Sequence, residues 1–234
     1  MAVVAGIDGC SCGWLCLTKD LSTGAVQARI LCSITDLMAM DPRPEVVMVD
    51  VPIGLTDSGS RQCDLDARSH LRPPRASSVF RAPIRPMLAA TTRDDACVIG
   101  MKADGRKINQ QAWAILPKIR EVDTFLRSDP TLNRWIREVH PEVCFWAWNS
   151  RKAMTHRKKL LAGRSEREAF VKPLYASAYA AAQSSLPRGK YGKDDLLDAF
   201  AALWTGERVV AGKATLLPVK PPVDSCGLRM EMVV

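Results

Sequence analysis

The chain has 234 residues, of which 33 are Lys or Arg and 25 are Asp or Glu, so its formal net charge is +8. Hydrophobic residues make up 47% and charged residues 25%, which excludes a wholly disordered chain. No apolar run approaches the roughly 18 residues of a membrane span. The first residues lack the basic start of a signal peptide. We therefore expect a globular protein with neither a membrane segment nor a secretory signal.

Eight cysteines are spread along the chain without a C-x-x-C pair, and there are three histidines. A structural zinc site needs two pairs of ligands at short spacing, and this pattern is missing, so no zinc site is predicted. A disulfide framework is not expected without a secretory signal. We predict a protein of the reducing cytoplasm whose thiols mostly pack as small apolar side chains.

The first quarter of the sequence predicts strands. Short apolar or alternating runs over residues 3–7, 14–18 and 26–32, separated by tight turns, indicate three consecutive strands. A short helix over residues 34–40, capped by a preceding hydroxyl side chain, follows. Residues 46–49 are apolar throughout, which is typical of a strand covered on both faces.

The middle of the chain is predicted to be helical. Between residues 108 and 126 apolar side chains recur at steps of three and four, which indicates one face of a long helix. Pro117 should kink this helix, because its ring clashes with a carbonyl one turn earlier. Ser165 and Glu168 have the spacing of a capping box, so a helix is expected from there to about Gln183.

The last part of the chain is predicted to alternate between strand and helix. Residues 139–145 are interpreted as a strand that carries Glu142, and residues 193–204 as the closing helix. Short extended pieces are expected at 215–219 and 229–234. The resulting fold class is α/β, with a mixed sheet flanked by helices.

Five carboxylates are candidates for a catalytic site. Asp8, Asp50 and Glu142 end or interrupt apolar runs, where a bare charge is costly. Asp195 and Asp198 are three residues apart and share one face of the last helix. Stabilisation of the helix dipole alone would explain Asp195 well and Asp198 poorly.

An all-oxygen ligand set of this kind favours Mg²⁺ or Mn²⁺. Two such ions about 4 Å apart can activate water and stabilise the leaving oxygen of a phosphodiester. Such a centre would be a candidate for two-metal hydrolysis of a phosphodiester, with a purely structural role of the acids as the alternative.

Basic side chains offer candidate substrate contacts, each with a structural alternative. Arg61 and Arg68 are seven residues apart, so they could grip phosphates from one helix face, or they could pair with Asp64 and Asp123 as salt bridges. His140 could act as a general acid or base, although a hydrogen-bonded structural histidine is commoner.

A run of basic residues between 151 and 167 includes Lys158. This run and the net charge suit a polyanion such as nucleic acid, while a solvated helix face is the simpler interpretation.

Several sequence blocks resemble the family called domain of unknown function 429, in order along essentially the whole chain. They are Gly6-Ile7-Asp8-Gly9-Cys10 with Gly13-Trp14, Asp50-Val51-Pro52-Ile53-Gly54-Leu55, Arg61-Gln62-Cys63-Asp64 with Ala67-Arg68, Ser77-Ser78-Val79-Phe80, Asn109-Gln110, Pro117-Lys118-Ile119, Glu121-Val122-Asp123, Glu138-Val139-His140-Pro141-Glu142-Val143, and Asp194-Asp195-Leu196-Leu197-Asp198-Ala199.

The resemblance implies a ribonuclease H-like fold, as a single domain over residues 1–234 with a helical insertion at roughly 60–135, and a predicted nuclease activity. Nucleases of that fold place an Asp on the first strand, an acid on the fourth and one or two acids on a late helix. Asp8, Asp50, Asp195 and Asp198 match these positions as metal ligands, while Glu142 has no firm counterpart and stays a catalytic candidate.

Two other functions remain open at this stage. A sugar-kinase or actin-like ATPase would share the opening Gly6–Gly9 motif, but its second phosphate loop is missing from the sequence. A non-catalytic nucleic-acid-binding module would keep the fold, although a pure polyanion binder gains nothing from clustered carboxylates. The sequence does not determine the oligomeric state.

Overall fold

The central element is a five-stranded mixed sheet with strand order β3-β2-β1-β4-β5, seen in a computed structural model that describes residues 2–234. β1 pairs antiparallel with β2, and β2 with β3, while β1, β4 and β5 are parallel. The strands are β1 (Val3–Cys10), β2 (Gly13–Asp20), β3 (Val26–Leu31), β4 (Val46–Val49) and β5 (Ile136–Glu138). This confirms the predicted α/β class, and the arrangement is that of a ribonuclease H-like sheet.

Helices flank the sheet, and most of the chain between β4 and β5 is helical. They are α1 (Gln62–Leu71), α2 (Arg93–Asp104), α3 (Gln110–Ser128), the single turn α4 (Leu132–Trp135), α5 (Pro141–Trp148), α6 (Leu161–Ser185) and α7 (Lys193–Val210). Short 3₁₀ turns cover Ile34–Ala39, Arg75–Ser78 and Arg85–Ala89. A small hairpin of β6 (Leu216–Leu217) and β7 (Met232–Val233) follows α7.

No helix in residues 2–234 has the length and apolar character that a membrane crossing needs.

Both faces of the sheet are covered. On one face, Val4 and Met48 pack with residues of α6 and α7 such as Phe200. On the other face, Ile7 and Val49 belong to an apolar cluster that includes residues of α3. Side chains alternate between the faces along a strand, so apolar residues at every position of β4 fit a strand buried on both sides.

Gly6 lets α7 approach β1 closely. A Cβ atom at Gly6 would lie 2.1 Å from the backbone nitrogen of Leu203 and 2.5 Å from the carbonyl oxygen of Ala199. Both atoms belong to the backbone of α7, so no side-chain rotation could make room. The absence of a side chain at Gly6 thus fixes the distance between β1 and α7, and with it the position of residues on the first turns of α7.

The predicted strand over residues 139–145 is wrong. β5 ends at Glu138, and α5 begins at Pro141 with His140 as its N-cap. Proline at the first helical position is favourable, because its fixed φ suits the helix and its missing N–H has no partner there. Glu142 therefore lies in the first turn of a helix.

Two details of the predicted helices are also wrong. α6 begins at Leu161, so Ser165 and Glu168 lie within the helix and form no capping box. α3 continues from Gln110 to Ser128 across Pro117. The backbone of α6 does leave helical geometry, at Tyr175, two residues after Pro173.

Candidate metal centre and cleft

Asp8, Asp50 and Asp198 meet at the carboxyl ends of the parallel strands. Asp8 lies near the end of β1, and Asp50 follows β4, whose last residue Val49 pairs with Ile7. Asp198 lies on α7, which packs against β1. One carboxylate oxygen from each of the three residues lies within 4.8 Å of the others. Ligand sites of open α/β sheets form at this edge.

Burial and mutual repulsion disfavour the charged forms of these carboxylates. Loss of solvent raises the pKa of Asp8 well above its usual range, and the charges of Asp50 and Asp198 raise it further. Burial also raises the pKa of Asp50 to about 7. Such a site favours either a bound proton or a bound cation.

Lys158 supplies one positive charge to this acid cluster. Its Nζ lies 2.5 Å from Oδ2 of Asp198, and the side chain of Asp198 is 1% exposed. The carboxylate of Asp198 raises the pKa of Lys158 above its usual range, with smaller contributions from Asp8 and Asp50. Lys158 was predicted as a substrate contact, and the structure places it against a predicted metal ligand.

The three carboxylates fit a small divalent cation. Mg²⁺–O bonds of about 2.0–2.1 Å place two ligand oxygens of one ion at most about 4.2 Å apart. The three oxygens lie within 4.8 Å of one another, so side-chain adjustments of well under about 1 Å would bring them to that distance. Oδ1 of Asp198 is buried and has no hydrogen-bond partner among the described residues. A buried anionic oxygen without a partner is costly, and a cation would satisfy it.

Asp195 has a different role from Asp198. Its Oδ2 accepts a hydrogen bond of 2.7 Å from the backbone N–H of Gly192, which caps the N-terminus of α7. Asp195 lines the same cleft, but it is not part of the three-carboxylate group. The helix-dipole explanation therefore accounts for Asp195, as the sequence suggested, and does not account for Asp198.

A second group, formed by Cys63, Asp64 and Glu138, also has ligand atoms within 4.8 Å of one another. Arg61 already neutralises it: its guanidinium lies 2.5 Å from Asp64 Oδ1 and 2.7 Å from Glu138 Oε2. Burial raises the pKa of the Cys63 thiol, which keeps it protonated. This group is best described as a buried salt-bridge network.

The predicted phosphate contacts Arg61 and Arg68 are both engaged within the protein. Arg61 is 2% exposed and pairs with Asp64, which is the structural alternative named from the sequence. Arg68 donates a hydrogen bond of 2.6 Å to the carbonyl oxygen of Val79. Asp123 pairs with Arg85 at 2.9 Å instead of with either of these arginines.

His140 lies beside the acid cluster, two residues beyond the end of β5, and lines the cleft. Its Nδ1 is buried and has no hydrogen-bond partner in residues 2–234. Burial lowers the pKa of His140, so the imidazole is neutral at neutral pH. A hydrogen bond with the backbone of Ser78 opposes part of this lowering of the pKa, so a structural role of His140 stays open beside a role as a general acid or base.

Glu142 joins three separate parts of the chain. Its carboxylate forms an ion pair with Arg167 of α6, whose side chain is fully buried, and lies 2.9 Å from Arg75. Glu142 borders the cleft, but both of its oxygens face arginines. The geometry favours a stabilising role for this predicted catalytic residue.

The three-carboxylate site opens into a cleft of about 930 Å³. The residues that line it include the basic Arg157, Lys158 and Lys159 as well as Asp8, Asp50 and His140. Arg157 and Lys159 are exposed and form no ion pair among residues 2–234. A cleft of this size with free cationic side chains can accommodate a phosphate-bearing ligand.

Glu138 and Arg167 were not predicted as important residues. Glu138 ends a short strand, as Asp8 and Asp50 do, and the same rule would have identified it if β5 had been placed at residues 136–138. No pattern in the neighbouring sequence identifies Arg167 as an ion-pair residue, because its partner Glu142 is 25 residues away.

Comparison with known proteins supports the family resemblance. No curated protein and no solved structure matches the chain. The model of the family described as "Protein of unknown function (DUF429)" matches residues 6–223, which include Asp8, Asp50, Lys158 and Asp198. Because this match covers most of the sequence, the chain belongs to the DUF429 family.

Proposed function

We propose that this protein is a metal-dependent phosphodiester hydrolase that acts on nucleic acid. The observation that carries the proposal is the convergence of Asp8, Asp50 and Asp198, with oxygens within 4.8 Å of one another, beside a cleft that Asp8, Asp50 and several basic side chains line. Clustered buried carboxylates are costly unless a cation neutralises them. Hard oxygen ligands without a histidine favour Mg²⁺ or Mn²⁺.

The residues have distinct roles in this proposal. Asp8, Asp50 and Asp198 would hold the cation. When bound, such a cation stabilises the charge that develops on a phosphoryl group and lowers the pKa of water. Arg157 and Lys159 contact phosphates of the substrate. His140, with its free Nδ1, is the candidate to accept or donate a proton at the reacting phosphate.

A cleavage assay tests the proposal. Labelled single-stranded and duplex DNA and RNA are incubated with the protein and Mg²⁺ or Mn²⁺. We expect metal-dependent cleavage that falls at least ~100-fold in Asp8→Asn and Asp198→Asn. Asp94→Asn removes the same charge from the exposed first turn of α2 and should leave the rate unchanged. Cleavage that does not depend on Asp8 and Asp198 would contradict the proposal.

A non-catalytic nucleic-acid-binding module is the second candidate. The ion pair between Lys158 and Asp198 favours it, because it neutralises part of the acid cluster without any cation. In that case nucleic acid would bind equally well with and without Mg²⁺, and no cleavage product would form.

The cytoplasm is the compartment that we propose for this activity. The eight cysteines are free thiols, and Cys10, Cys16 and Cys144 are buried in the apolar core. This arrangement fits a reducing environment, in which thiols serve as small core side chains.

A further inference from the structure

We propose that Lys158 occupies the position of a second cation, so that the centre works with one divalent ion and one ammonium group. The inference rests on the proposed function and concerns how its charge is supplied. The sequence predicts two-metal hydrolysis, whereas the placement of Lys158 beside Asp198 argues for a single ion.

The charge count of the site is the first argument. Ionised Asp8, Asp50 and Asp198 contribute three negative charges, and Lys158 returns one positive charge. The remaining charge of −2 is neutralised by one divalent ion. Two divalent ions beside the ammonium would leave the same three carboxylates with an excess of two positive charges. The count covers the three-carboxylate group alone: Glu142 pairs with two arginines, and Asp195 lies outside the group with one oxygen on the backbone N–H of Gly192.

The two oxygens of Asp198 face different surroundings. Oδ2 accepts a hydrogen bond from Lys158, while Oδ1 is buried without a partner in the part of the chain that the structure describes. In two-metal sites, a carboxylate commonly bridges the two ions. Here Asp198 can bridge the ammonium group, on Oδ2, and one cation, on Oδ1.

The segment that carries Lys158 is held in place by α6. The backbone N–H groups of Thr155 and His156 donate to the carboxylate of Glu166, at 2.6 and 2.9 Å. Buried Arg167 donates to the carbonyl oxygen of His156, at 3.2 Å. These contacts hold the chain immediately before Lys158.

A close backbone contact fixes the residue next to Lys158. A Cβ atom at Gly163 would lie 2.0 Å from the carbonyl oxygen of Arg157, so only glycine allows the two backbones to touch. Lys158 is thus attached to α6 by side-chain and backbone contacts. An ammonium group anchored in this way is expected to stay when a metal ion binds, instead of leaving its place to a second ion.

Counting bound Mn²⁺ by electron paramagnetic resonance tests the inference, with and without inorganic phosphate. We expect one Mn²⁺ per wild-type chain in both conditions. Lys158→Met keeps the length of the side chain and removes its charge, and it should bind a second Mn²⁺. Lys102→Met removes the same charge from an exposed residue of α2, outside the cleft lining, and should still bind one.

The outcomes separate this inference from the proposed function. Two Mn²⁺ ions in the wild-type protein would overturn the role of Lys158 and leave metal-dependent hydrolysis intact. One ion in both wild type and Lys158→Met would also overturn it, because the lysine would then hold no cation position. Absence of Mn²⁺ binding in every protein would overturn both proposals. If Lys158→Met fails to fold, the number of Mn²⁺ ions bound by the wild-type protein still tests whether the centre holds one ion or two.

Discussion

Asp50 makes the stability of the metal-free protein depend on pH. Its pKa is raised by burial to about 7, against about 4 in an unfolded chain, so between these values the folded protein binds a proton that the unfolded chain has lost. The free energy of unfolding therefore increases as the pH falls from about 8 to about 5. Thermal unfolding with a chelator should show a higher melting temperature at the lower pH.

Asp50→Asn should remove the part of this pH dependence that Asp50 contributes, because the amide does not titrate, while Asp8 and Glu138, whose pKa values are also raised, keep the rest. The variant should be as stable as wild type or more stable by up to about 1 kcal/mol at pH 8, since one repulsive charge is lost. It should also lose the stabilisation by Mg²⁺, which for wild type is about 2.7 kcal/mol at a hundredfold excess over Kd. A destabilised Asp50→Asn with an intact Mg²⁺ response would indicate a structural carboxylate.

Glu142 offers a test between a structural and a catalytic role. Glu142→Gln keeps the volume but leaves the buried guanidinium of Arg167 without its counter-charge. Removing one partner of a buried ion pair costs about 3–5 kcal/mol, which urea unfolding would detect. Lys172→Gln breaks the exposed pair with Glu168, whose partners are 54% and 28% exposed, and should cost less than about 1 kcal/mol. A Glu142→Gln protein of unchanged stability but no activity would restore the catalytic interpretation.

For individual residues, the sequence predicted which acids could be metal ligands, but it did not predict which partners the basic side chains pair with. A carboxylate at the end of an apolar strand is a local signal, and Asp8 and Asp50 both carry it. The pairings of Lys158 with Asp198 and of Arg167 with Glu142 join residues 40 and 25 positions apart. No local pattern encodes such pairings, which follow only from the packing of α5, α6 and α7.

The contact between β1 and α7 determines whether Asp8 and Asp198 can share a cation. Gly6→Ala would place a methyl group 2.1 Å from a backbone atom of α7, so the helix must move away from the sheet. We expect a loss of about 1–3 kcal/mol in the free energy of unfolding. Binding of Mn²⁺ should weaken as well, because the carboxylates of Asp8 and Asp198 separate.

Gly206→Ala is the matched control for this effect. Gly206 lies on the same helix, but an added Cβ there would meet mainly side-chain atoms, the nearest being Cγ of Met48 at 3.2 Å. A flexible methionine can adjust, and alanine favours the helix by about 1 kcal/mol over glycine. Its stability and Mn²⁺ affinity should stay close to those of wild type. Equal losses of Mn²⁺ affinity in both variants would contradict the role given to Gly6.

Most elements of the sheet were predictable because their apolar patterns are local. The first three strands and β4 follow from period-two or continuous apolar runs and were placed correctly. α7 begins at the predicted residue, Lys193, but continues to Val210, beyond the predicted end at Trp204. β5 was misplaced because only three residues form it, and the apolar residues after it belong to α5. The sequence His140-Pro141-Glu142 has the features of a helix start, with proline at the first position and an acid in the first turn. That signal was outweighed by the β-branched and aromatic residues that follow.

Across the whole molecule, the basic side chains divide between internal ion pairs and exposed positions, some of which line the cleft. The net charge is +8, but many arginines form buried or partly buried ion pairs within the protein. They include Arg61, Arg75, Arg85 and Arg167. Arg157 and Lys159 remain exposed on the cleft wall, on either side of the anchored Lys158. The sequence suggested that the basic run between residues 151 and 167 suits a polyanion, with Lys158 as a substrate contact. Because Lys158 pairs with Asp198, we propose Arg157 and Lys159 as the phosphate contacts.

Nucleic-acid binding should therefore depend on salt through Arg157 and Lys159. Each phosphate that a cationic side chain neutralises contributes about −0.9 to the slope of log K against log salt for duplex DNA. The double variant Arg157→Ala/Lys159→Ala should make the slope shallower by up to about 1.8, equally for different sequences. Fluorescence anisotropy over a salt series, with a chelator to prevent cleavage, measures this slope.

Arg93→Ala/Lys102→Ala is the control, because it removes two exposed charges from α2, which lies outside the cleft lining. This variant should leave the slope unchanged. If both double variants changed the slope equally, net charge and not the cleft would govern binding. If no nucleic acid bound wild type at ~50 mM salt, where backbone contacts are strong, the cleft would instead suit a small phosphorylated molecule.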